Sequence, residues 1–592
     1  RLAPAGVDDG TEAGHARWLL AQLLWFHRRE DKSFWRRYYE LMGDMTDEER
    51  VAAKEPLAGL VYEGPVGTIR RSEIHRYSFA PQDFDVRVGK DVRDPATGES
   101  PGTVHAIDES ARTVELTRAI GRSVPHPTAL VPFDFVDPKP LVESLLRIGD
   151  AVAAAGIEGR GPYRAARDLL LRRPPRAGRA ADGTLQPPDE AAADTAVRCA
   201  LGLDDSYLAI QGPPGSGKTY AGARIAVALA AAGKRVGITA NSHKVIGHLL
   251  DEIAACAGPA GVSIGQKPDR GGNCTSRQAR CLEGTADVLA AFDDESVRVV
   301  GGTAWLWSAE EMAGSVDVLI VDEAGQMSLA NTLAVSQAAS SIVLLGDPQQ
   351  LDQPLKGSHP PGADRSALAH LLGQAATVPP DLGLFMEHTR RLHPDVCRFT
   401  SEAFYEGKLE SLPGCELQQV AGTGPLHGTG LRWIAVSHDG DTSDSPAEAA
   451  AVRELVEQLL EAGATWSRAD RSVRRIGLED ILVITPYNAQ VGELEAVLPG
   501  ARVGTVDKFQ GQEGPISIYS MATSSAADAP RGMEFLYSLH RLNVATSRAK
   551  CIAVVVASPG LLRVRARTPR QVRLANALAR LVELGEAGIA TR

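Results

Sequence analysis

The fold is decided by one stretch of eight residues, Gly212-Pro213-Pro214-Gly215-Ser216-Gly217-Lys218-Thr219. An apolar run precedes it and an amphipathic segment follows it, which predicts a strand, a glycine-rich loop and a helix in that order. Glycines let backbone N–H groups turn inward around phosphates, and the helix N-terminus adds a favourable dipole. Lys218 would contact the β- and γ-phosphates, and the Thr219 hydroxyl would bind Mg²⁺. The stretch therefore predicts a site for ATP and Mg²⁺, with all eight residues at the nucleotide.

Two other apolar runs end in polar residues that suit such a site. One run, 316–321, is followed by Asp322 and Glu323, and another, 341–345, leads to Gln350. Because the carboxyl ends of parallel strands meet at one edge of a sheet, these side chains are expected beside the glycine-rich loop. There Asp322 could hold Mg²⁺, and Glu323 could accept a proton from the attacking water. Gln350 could report whether the γ-phosphate is present.

Apolar strands alternate with helical patterns in two successive series. The first series contains runs at 207–210, 235–239, 297–300, 316–321 and 341–345, and the second contains runs at 431–436, 481–484, 501–504, 515–519 and 551–556. Continuous apolar strands interleaved with helices indicate parallel sheets covered on both faces. We therefore predict an α/β fold of two tandem lobes. The first lobe would span 189–358, and the second, with a closing C-terminal helix, would span 359–592.

The residues before the first lobe have a different pattern. Aromatic and charged residues between His15 and Leu41 predict an amphipathic helix. Short alternating runs at 84–88, 102–107 and 113–116 predict antiparallel strands. We expect a helical stalk segment (1–56), a small β-barrel (57–137), and a stalk helix with a polar linker (138–188).

Composition limits the function further. The formal net charge of −11 argues against a protein that coats nucleic acid by bulk electrostatics, although a strand could lie in an internal groove. No apolar run approaches the roughly 20 residues of a membrane span, so no membrane partner is expected. Seven cysteines in a long chain do not suggest a disulfide framework, and the cytoplasm is the expected compartment. Because the chain begins at Arg1 rather than Met, we expect a piece of a longer protein.

Six short motifs carry a family resemblance. They are 322–326 (Asp-Glu-Ala-Gly-Gln), 346–351 (Gly-Asp-Pro-Gln-Gln-Leu), 389–394 (Thr-Arg-Arg-Leu-His-Pro), 485–490 (Thr-Pro-Tyr-Asn-Ala-Gln), 506–513 (Val-Asp-Lys-Phe-Gln-Gly-Gln-Glu) and 542–550 (Leu-Asn-Val-Ala-Thr-Ser-Arg-Ala-Lys). In this order they resemble the superfamily-1 helicases, within the branch of the nonsense-mediated mRNA decay helicase and the Okazaki-fragment helicase–nuclease. The resemblance covers about 191–558 and implies two RecA-like P-loop lobes after a stalk and a barrel. The chain looks most like the helicase half of bacterial RecB-like nuclease–helicase fusions, which suggests an N-terminal nuclease domain in the full-length protein.

The resemblance assigns roles to the second lobe. It points Arg391 and Arg548 at the γ-phosphate bound by the first lobe, and it brings Glu513 to the ribose. Guanidinium groups at the γ-phosphate stabilise the charge that spreads during phosphoryl transfer, so both arginines are expected to be catalytic. Gln326 and Arg390 complete the expected nucleotide contacts.

Two departures from the family concern the base. Arg390 stands where the family has an aromatic residue that stacks on adenine, and its guanidinium plane could stack instead. The family's adenine-reading Gln has no clear counterpart, since Thr195 lies at about that offset and Gln186 is too far away. Selectivity for ATP over GTP therefore stays open.

The expected nucleic-acid path runs along strand ends of both lobes. Small hydroxyl and amide side chains suit contacts with phosphate and sugar that do not read sequence. By resemblance, the residues that face a single strand are Asn241, Ser242, His243, Gly302, Thr303, Thr485 and Tyr487. Trp305 and Trp307 could stack on bases, but at least one of them is expected in the core.

Two other patterns give weaker signals. Cys274 and Cys281 lie near His243 and His248 in sequence, but their spacing is not that of a zinc knuckle and no second pair completes a site. The charged segment Arg563–Arg580 favours a solvated face over a contact with nucleic acid.

Together the motifs predict an ATP-dependent helicase or translocase that couples hydrolysis between two lobes to movement on single-stranded nucleic acid. The resemblance implies movement from 5′ to 3′, with DNA favoured over RNA. Two alternatives stay open, a nucleotide-switched clamp that does not move and the motor half of a RecB-like nuclease–helicase.

Overall fold

The structure is a computed structural model that describes residues 10–590, except 54, 83, 109–110, 122–123, 179–182, 270–271 and 423. Positions 1–9 of the predicted stalk segment and 179–182 of the predicted linker therefore lie outside the described residues. The chain forms two compact units. The smaller unit comprises Leu24–Lys139 and Pro354–Pro360, and the larger unit comprises Arg1–Leu23, Pro140–Gln353 and Pro361–Arg592. Among the described helices, none combines the length and hydrophobicity of a transmembrane segment.

The opening helical segment is divided between the two units. Helix α1 (Glu12–Leu23) lies in the larger unit, whereas α2 (Phe26–Tyr39) and α3 (Asp47–Ala52) lie in the smaller one. The single helix expected over this stretch is interrupted before Phe26, where Trp25 is exposed.

Short antiparallel strands build the rest of the smaller unit. They are β1 (Leu57–Ala58), β2 (Val61–Ile69), β3 (Ser72–Ser78), β4 (Val92–Arg93), β5 (Thr103–Asp108), β6 (Thr113–Ala119) and β7 (Ala129–Pro132). A four-stranded sheet, β2-β3-β6-β5, and a three-stranded sheet, β1-β7-β4, are joined by a bridge between Asp91 and Thr103. The described strands thus form two linked sheets where a barrel was predicted. The run 84–88 is not a strand. Phe84 and Val86 pack into the core from an irregular segment instead.

The first lobe follows three helices, α4 (Lys139–Ala155), α5 (Arg164–Leu170) and α6 (Ala192–Leu201). Its strands are β8 (Tyr207–Gln211), β9 (Val236–Thr239), β10 (Ile264–Gln266), β11 (Arg280–Cys281), β12 (Val299–Gly301), β13 (Val316–Val321), β14 (Ala339–Gly346) and β15 (Gly383–Phe385). Its helices are α7 (Lys218–Ala231), α8 (His243–Ala257), α9 (Thr285–Asp293), α10 (Ala304–Trp307), α11 (Leu329–Ser336) and α12 (Ala367–Leu372).

All strand pairs in the first sheet are parallel, in the order β11-β10-β12-β9-β13-β14-β8-β15. Strand β14 lies between β13 and β8, and Gly346 pairs with Gln211 at its end. The glycine-rich loop after β8, Asp322 after β13 and Asp347 after β14 therefore emerge side by side at one edge. This is the arrangement that the apolar runs predicted.

The second lobe has its own parallel sheet, in the order β19-β25-β24-β22-β23. The strands of this region are β16 (His388–Thr389), β17 (Glu410–Ser411), β18 (Gln419–Ala421), β19 (Gly430–Ala435), β20 (Thr465–Ser467), β21 (Val473–Arg475), β22 (Ile481–Thr485), β23 (Arg502–Thr505), β24 (Gly514–Ser520) and β25 (Ala549–Ala557). Its helices are α13 (Pro394–Phe404), α14 (Pro446–Glu461), α15 (Asn488–Val497), α16 (Met533–Leu536), α17 (Leu539–Ser547) and α18 (Pro569–Ala590).

Each lobe has a separate apolar core. Leu208, Ile210 and Val343 of the first sheet pack with α7 and α8, and Ile481, Ile516 and Val554 of the second sheet pack with α14. Parallel strands that are buried on both faces need apolar residues at nearly every position, which is why the runs were continuous. The predicted α/β fold of two tandem P-loop lobes is confirmed.

The division between the lobes lies later in the chain than residue 358. Strand β15 pairs with β8 in the first sheet, with Leu384 opposite Ile210, although it falls in the stretch predicted for the second lobe. A strand of three residues after an irregular stretch has too little periodicity to be assigned from sequence.

The fit of β15 against β8 gives a test of this boundary. A Cβ at Gly383 would lie 2.6 Å from the backbone oxygen of Ala209, so Gly383→Ala must displace the strand. We expect the variant to lose about 1–3 kcal/mol of unfolding free energy, measured by chemical denaturation. The matched control is Gly492→Ala in α15, where a Cβ meets nothing within 4 Å. That change should stabilise the protein by about 0.5–1 kcal/mol, and equal stability of the two variants would contradict the pairing.

Candidate active site

The glycine-rich loop connects β8 to α7 and surrounds the lysine. Gly215 and Gly217 have φ angles of +73° and +87°, in the left-handed region that favours glycine. A Cβ at Gly212 would lie 2.2 Å from Cγ of Lys218, so the lysine stem passes directly over that residue. The Lys218 ammonium donates to the backbone oxygen of Gly212 over 2.6 Å. A phosphate oxygen could replace this neutral acceptor, so the loop fits the triphosphate of a nucleotide.

An acidic pair lies at the end of β13. Asp322 is 5% exposed, its N–H donates to the oxygen of Thr239, and its Oδ1 accepts from the N–H of Glu323 over 2.8 Å. Burial and the neighbouring charge of Glu323 raise the pKa of Asp322 to about 7, although Lys218 acts in the opposite direction. A cation beside this buried carboxyl would favour its ionised form. The oxygens of Asp322 and Thr219 are of the kind that Mg²⁺ prefers, so the residues present fit this ion.

Glu323 occupies an uncommon backbone conformation. Its φ angle is +52°, which costs a non-glycine residue about 1–2 kcal/mol. Backbone strain of this kind persists where the surrounding structure fixes it, and it clusters at functional sites. The strain is consistent with a required position for the carboxylate that was predicted as the proton acceptor.

Gln350 is held between the two lobes. Its amide N–H donates to Oδ2 of Asp347 over 2.8 Å, which leaves its carbonyl oxygen to accept from Arg548 over 3.0 Å. Arg548 follows α17 of the second lobe, whereas Gln350 and Asp347 follow β14 of the first. The predicted sensor and the predicted arginine are therefore in direct contact.

Arg548 is buried without a carboxylate partner. Only 1% of the residue is exposed, and its guanidinium also donates to the backbone oxygens of Val544 and Gln512. Burial and the charge of Arg391 lower the pKa of Arg548. In the part of the chain that the structure describes, no carboxylate forms an ion pair with it. The first-lobe wall therefore carries a buried carboxyl at Asp322, and the second lobe supplies a buried guanidinium.

The segment that carries Arg391 lies directly on the glycine-rich loop. The N–H of Arg390 donates to the oxygen of Gly215 over 2.9 Å, and the hydroxyl of Thr389 donates to the oxygen of Pro214 over 2.8 Å. A Cβ at Gly215 would lie 2.4 Å from Cβ of Arg391, so only glycine fits there. The structure thus brings Arg391 to the loop, as the resemblance implied.

Glu513 forms ion pairs with two basic side chains. Arg391 Nε donates to its Oε2 over 2.6 Å, and the ammonium of Lys550 lies 2.6 Å from its Oε1. Burial acts to raise the pKa of Glu513, but the charges of Arg391 and Lys550 outweigh it and lower the pKa. Arg391 also donates to the oxygen of Ser547. The contact of Glu513 with a ribose remains a prediction.

The residues considered as contacts of the base differ in exposure and in hydrogen-bond partners. The Arg390 side chain is exposed, whereas Thr195 is buried and its hydroxyl donates to Glu190 over 2.8 Å. The amide N–H of Gln186 donates to the oxygen of Glu190. Thr195 and Gln186 thus both donate to Glu190. The amide nitrogen of Gln326 is buried with no partner among the described atoms.

The expected strand contacts of the first lobe lie at the carboxyl ends of β9 and β12. Asn241 donates to the oxygen of Gln326, the exposed Ser242 caps α8 by accepting from the N–H of Val245, and His243 pairs with Asp269 over 3.0 Å. Thr303 is half-buried at the start of α10.

Several expected contacts are buried. Gly302 is covered by Leu306, and Trp307 is fully buried with its indole N–H bonded to the oxygens of Ile238 and Gly302. Trp305, by contrast, is exposed. In the second lobe the side chains of Thr485 and Tyr487 are both buried. Neither side chain is therefore accessible to a nucleic-acid strand in this conformation. Thr485 ends β22, and Tyr487 follows it by two residues.

A disulfide closes a loop beside His243. It joins Cys274 and Cys281, whose Cα atoms are 5.9 Å apart, although the cysteine count did not suggest such a bond. The hydroxyl of Thr275 in this loop donates to the oxygen of His243.

Sequence reasoning missed a buried network around Asp347. Tyr405 donates to its Oδ2 over 2.6 Å and accepts from Asn543 over 2.9 Å, while Gln211 approaches its Oδ1 at 3.4 Å. Asn543 also donates to the oxygen of Gln349. Asp347, Asn543 and Gln211 stand inside or beside the quoted motifs and Tyr405 stands outside them, and their spacing in sequence gives no sign that they meet. The network joins the two lobes behind Gln350.

The chain is similar in sequence to several known proteins. Residues 191–360 and 363–560 match two family models, each described as an AAA domain. The DNA replication ATP-dependent helicase/nuclease JHS1 of Arabidopsis thaliana is 24% identical over 378 residues, which cover 60% of this chain and 27% of that protein. The mouse protein described as "Probable helicase senataxin" is 30% identical over 261 residues, covering 39% of this chain and 9% of that protein.

Among solved structures, the arterivirus nonstructural protein 10 helicase matches with 13% identity and a TM-score of 0.38, covering 86% of this chain and 78% of that one. The curated relatives named above are much longer than the matched region, and this chain spans 27% of the first of them.

The network around Asp347 predicts different outcomes for two buried tyrosines. Tyr405→Phe removes a donor from a buried carboxylate and an acceptor from Asn543, so we expect a loss of about 1–3 kcal/mol in unfolding free energy. The control is Tyr519→Phe, because the Tyr519 hydroxyl is buried with no partner among the described atoms. Removing that hydroxyl should be neutral or slightly stabilising. Thermal denaturation of the two variants measures the difference, and an equal effect would refute the network.

Proposed function

We propose that this chain, which belongs to superfamily 1 of the DNA/RNA helicases in the branch of the nonsense-mediated mRNA decay and Okazaki-fragment helicases, hydrolyses ATP to move along single-stranded nucleic acid. One observation carries the proposal. Arg548 of the second lobe is buried against Gln350 of the first, and no described carboxylate forms an ion pair with it, although the charges of Glu323 and Glu513 favour its protonated form. A triphosphate between the lobes would supply the direct anionic partner.

Each residue of the site has a role in this reaction. The loop N–H groups and Lys218 would hold the phosphates, and Thr219 with Asp322 would hold Mg²⁺, which neutralises phosphate charge when bound. Glu323 would accept the proton of the attacking water. Arg391 and Arg548 would stabilise the charge that spreads over the γ-phosphoryl group. An arginine in this role contributes roughly 10³–10⁵ in rate, or about 4–7 kcal/mol of the barrier.

Supplying the arginines from the second lobe makes hydrolysis conditional on lobe closure. Arg391 is held by Glu513 and Ser547, and Arg548 is held by Gln350, so both must exchange partners when a phosphate arrives. The network of Asp347, Tyr405 and Asn543 would carry that exchange between the lobes. Repeated opening and closing would then move a bound strand.

The proposed binding of nucleic acid rests on the family and on exposed residues at the ends of β-strands. Asn241, Ser242 and Thr303 follow parallel strands of the first lobe and can contact phosphate and sugar. Relatives named for DNA replication favour DNA as the substrate, and the family resemblance favours movement from 5′ to 3′. The cytoplasm remains the proposed compartment.

Single substitutions in the two lobes should separate binding from turnover. Lys218→Ala should lose ATP turnover, whereas Glu323→Gln should bind ATP without hydrolysing it. Arg548→Ala should bind ATP and hydrolyse it roughly 10³–10⁵ times more slowly, because the charge in the transition state is no longer stabilised. Steady-state ATPase assays with a fluorescent-nucleotide binding assay measure both quantities. Arg453→Ala, an exposed position on α14, is the control and should behave as wild type. Normal turnover by Arg548→Ala would end the two-lobe assignment.

Polymer-dependent assays distinguish the proposed motor from its alternatives. ATPase rates with single-stranded DNA, single-stranded RNA, duplex and no polymer should show stimulation by a single strand. Strand displacement on duplexes with 5′ or 3′ tails reports movement and direction. ATP-dependent binding with no displacement would indicate a nucleotide-switched clamp. Cutting of labelled DNA with Mg²⁺ or Mn²⁺ would indicate a nuclease.

A further inference from the structure

A chain of exposed arginines follows β25 in the second lobe. Residues 563–573 contain five arginines and neither Asp nor Glu, in a protein whose net charge is −11. Residues 563–568 connect the short helix Pro559–Leu562 to α18 without regular structure, and we call them the arginine strap. Arg563, Arg565 and Arg567 of the strap are exposed and form no ion pair with any residue that the structure describes. The strap therefore concentrates positive charge that no described ion pair neutralises, and like charges this close repel one another.

The strap is attached at both ends to one short segment. Before it, the backbone oxygen of Leu561 accepts from the hydroxyl of Tyr537 over 2.7 Å. After it, Arg570 lies 3.5 Å from Glu534. Glu534 belongs to α16 and Tyr537 follows it directly, and α16 also packs on α18. The strap therefore runs beside α16.

Helix α16 carries a ring with two further arginines. The guanidinium of Arg531 lies 3.9 Å from the centroid of Phe535, and that of Arg541 lies 4.3 Å from it. Arg531 is exposed, and the Phe535 ring is half-buried. Arg541 is balanced by Asp507 at 3.2 Å, but Arg531 forms no ion pair with a described residue. A planar guanidinium held over an aromatic ring offers a flat, cationic surface, which suits a nucleobase.

This surface continues from the end of the second sheet. The Phe535 ring is 5.6 Å from that of Tyr487, two residues beyond the end of β22. The strap itself begins beyond the end of β25 in the same parallel sheet. Both features thus lie at the carboxyl edge, where the expected strand contacts of this lobe were placed.

We infer that the arginine strap and the Arg531–Phe535 stack form a contact surface for single-stranded nucleic acid on the second lobe. The inference rests on the proposed function and extends it to residues that none of the helicase motifs contains. Strap guanidinium groups bind backbone phosphates, and the outer plane of Arg531 takes one base. Neither contact reads sequence. A strand held here would be carried with the second lobe, while Asn241 and Ser242 hold it on the first.

A substitution series with a salt titration tests the phosphate contacts. The triple variant Arg563→Gln, Arg565→Gln and Arg567→Gln is compared with Arg453→Gln, Arg471→Gln and Arg475→Gln, which removes the same charge from exposed positions of the same lobe. Binding of labelled oligothymidylate and oligouridylate is measured by fluorescence anisotropy over a range of salt. For three lost phosphate contacts, the slope of log K against log salt should become less negative by about 2. Affinity near 0.1 M salt should fall roughly 100-fold, from the same slope taken to 1 M.

The possible results distinguish failure of this inference from failure of the proposed function. If wild type binds neither polymer, the proposed function fails. If wild type binds and the strap variant keeps the same slope, or if both triple variants lose slope equally, only this inference fails. Phe535→Leu adds a second measurement, because stacking is insensitive to salt. It should weaken binding roughly fivefold or more with an unchanged slope, and unchanged affinity would remove the stack from the surface. Thermal midpoints of all variants establish that each is folded.

Discussion

The site depends on a buried guanidinium that forms no ion pair with any residue the structure describes. Arg548 is buried between neutral acceptors, the amide of Gln350 and two backbone oxygens. Removing a guanidinium from water costs several kcal/mol, and neutral hydrogen bonds recover only part of that cost. Across the sheet edge, Asp322 has the opposite deficit, a buried carboxyl whose pKa is raised. A magnesium–triphosphate complex carries the cation that one wall lacks and the anion that the other lacks. Nucleotide binding and the contact between the two lobes are therefore linked by electrostatics.

The glycine-rich loop adds a steric constraint to this electrostatic one. Gly215 accepts from Arg390 and leaves no room for a Cβ beneath Arg391. The loop is thus fixed from the first lobe by Gly212, whose N–H donates to the oxygen of Gly346, and from the following segment by Thr389. A loop held on two sides changes shape only if both sides move. Phosphate binding at the loop can therefore be felt by Arg391 without any long pathway of intervening residues.

The sequence allowed much of this to be predicted, but unequally. Continuous apolar runs identify buried parallel strands, and residues such as Asp322 and Gln350 can be placed because strand ends share an edge. Strand β15 was missed and fell within the stretch predicted for the second lobe, because three residues carry no period. Tyr405 and Asn543 were missed because their contact depends on lobe packing, which no spacing encodes. Thr485 and Tyr487 were expected to face a strand, yet their side chains are buried. Position along a strand predicts the edge of the sheet but not the depth of a side chain within it.

The proposed surface on the second lobe would reconcile an acidic protein with an anionic partner. A net charge of −11 acts over the whole surface, and salt screens it beyond about 10 Å. Attraction to a phosphate depends instead on the charges within that distance, and residues 563–573 are entirely free of carboxylates. Where a carboxylate does lie close, as Glu534 beside Arg570 or Asp507 beside Arg541, it fixes the position of one arginine. The remaining guanidinium groups keep their charge available at the surface. On the proposed function, the acidic residues elsewhere would limit binding outside this edge, so a nucleic-acid strand would be held where the lobes can act on it.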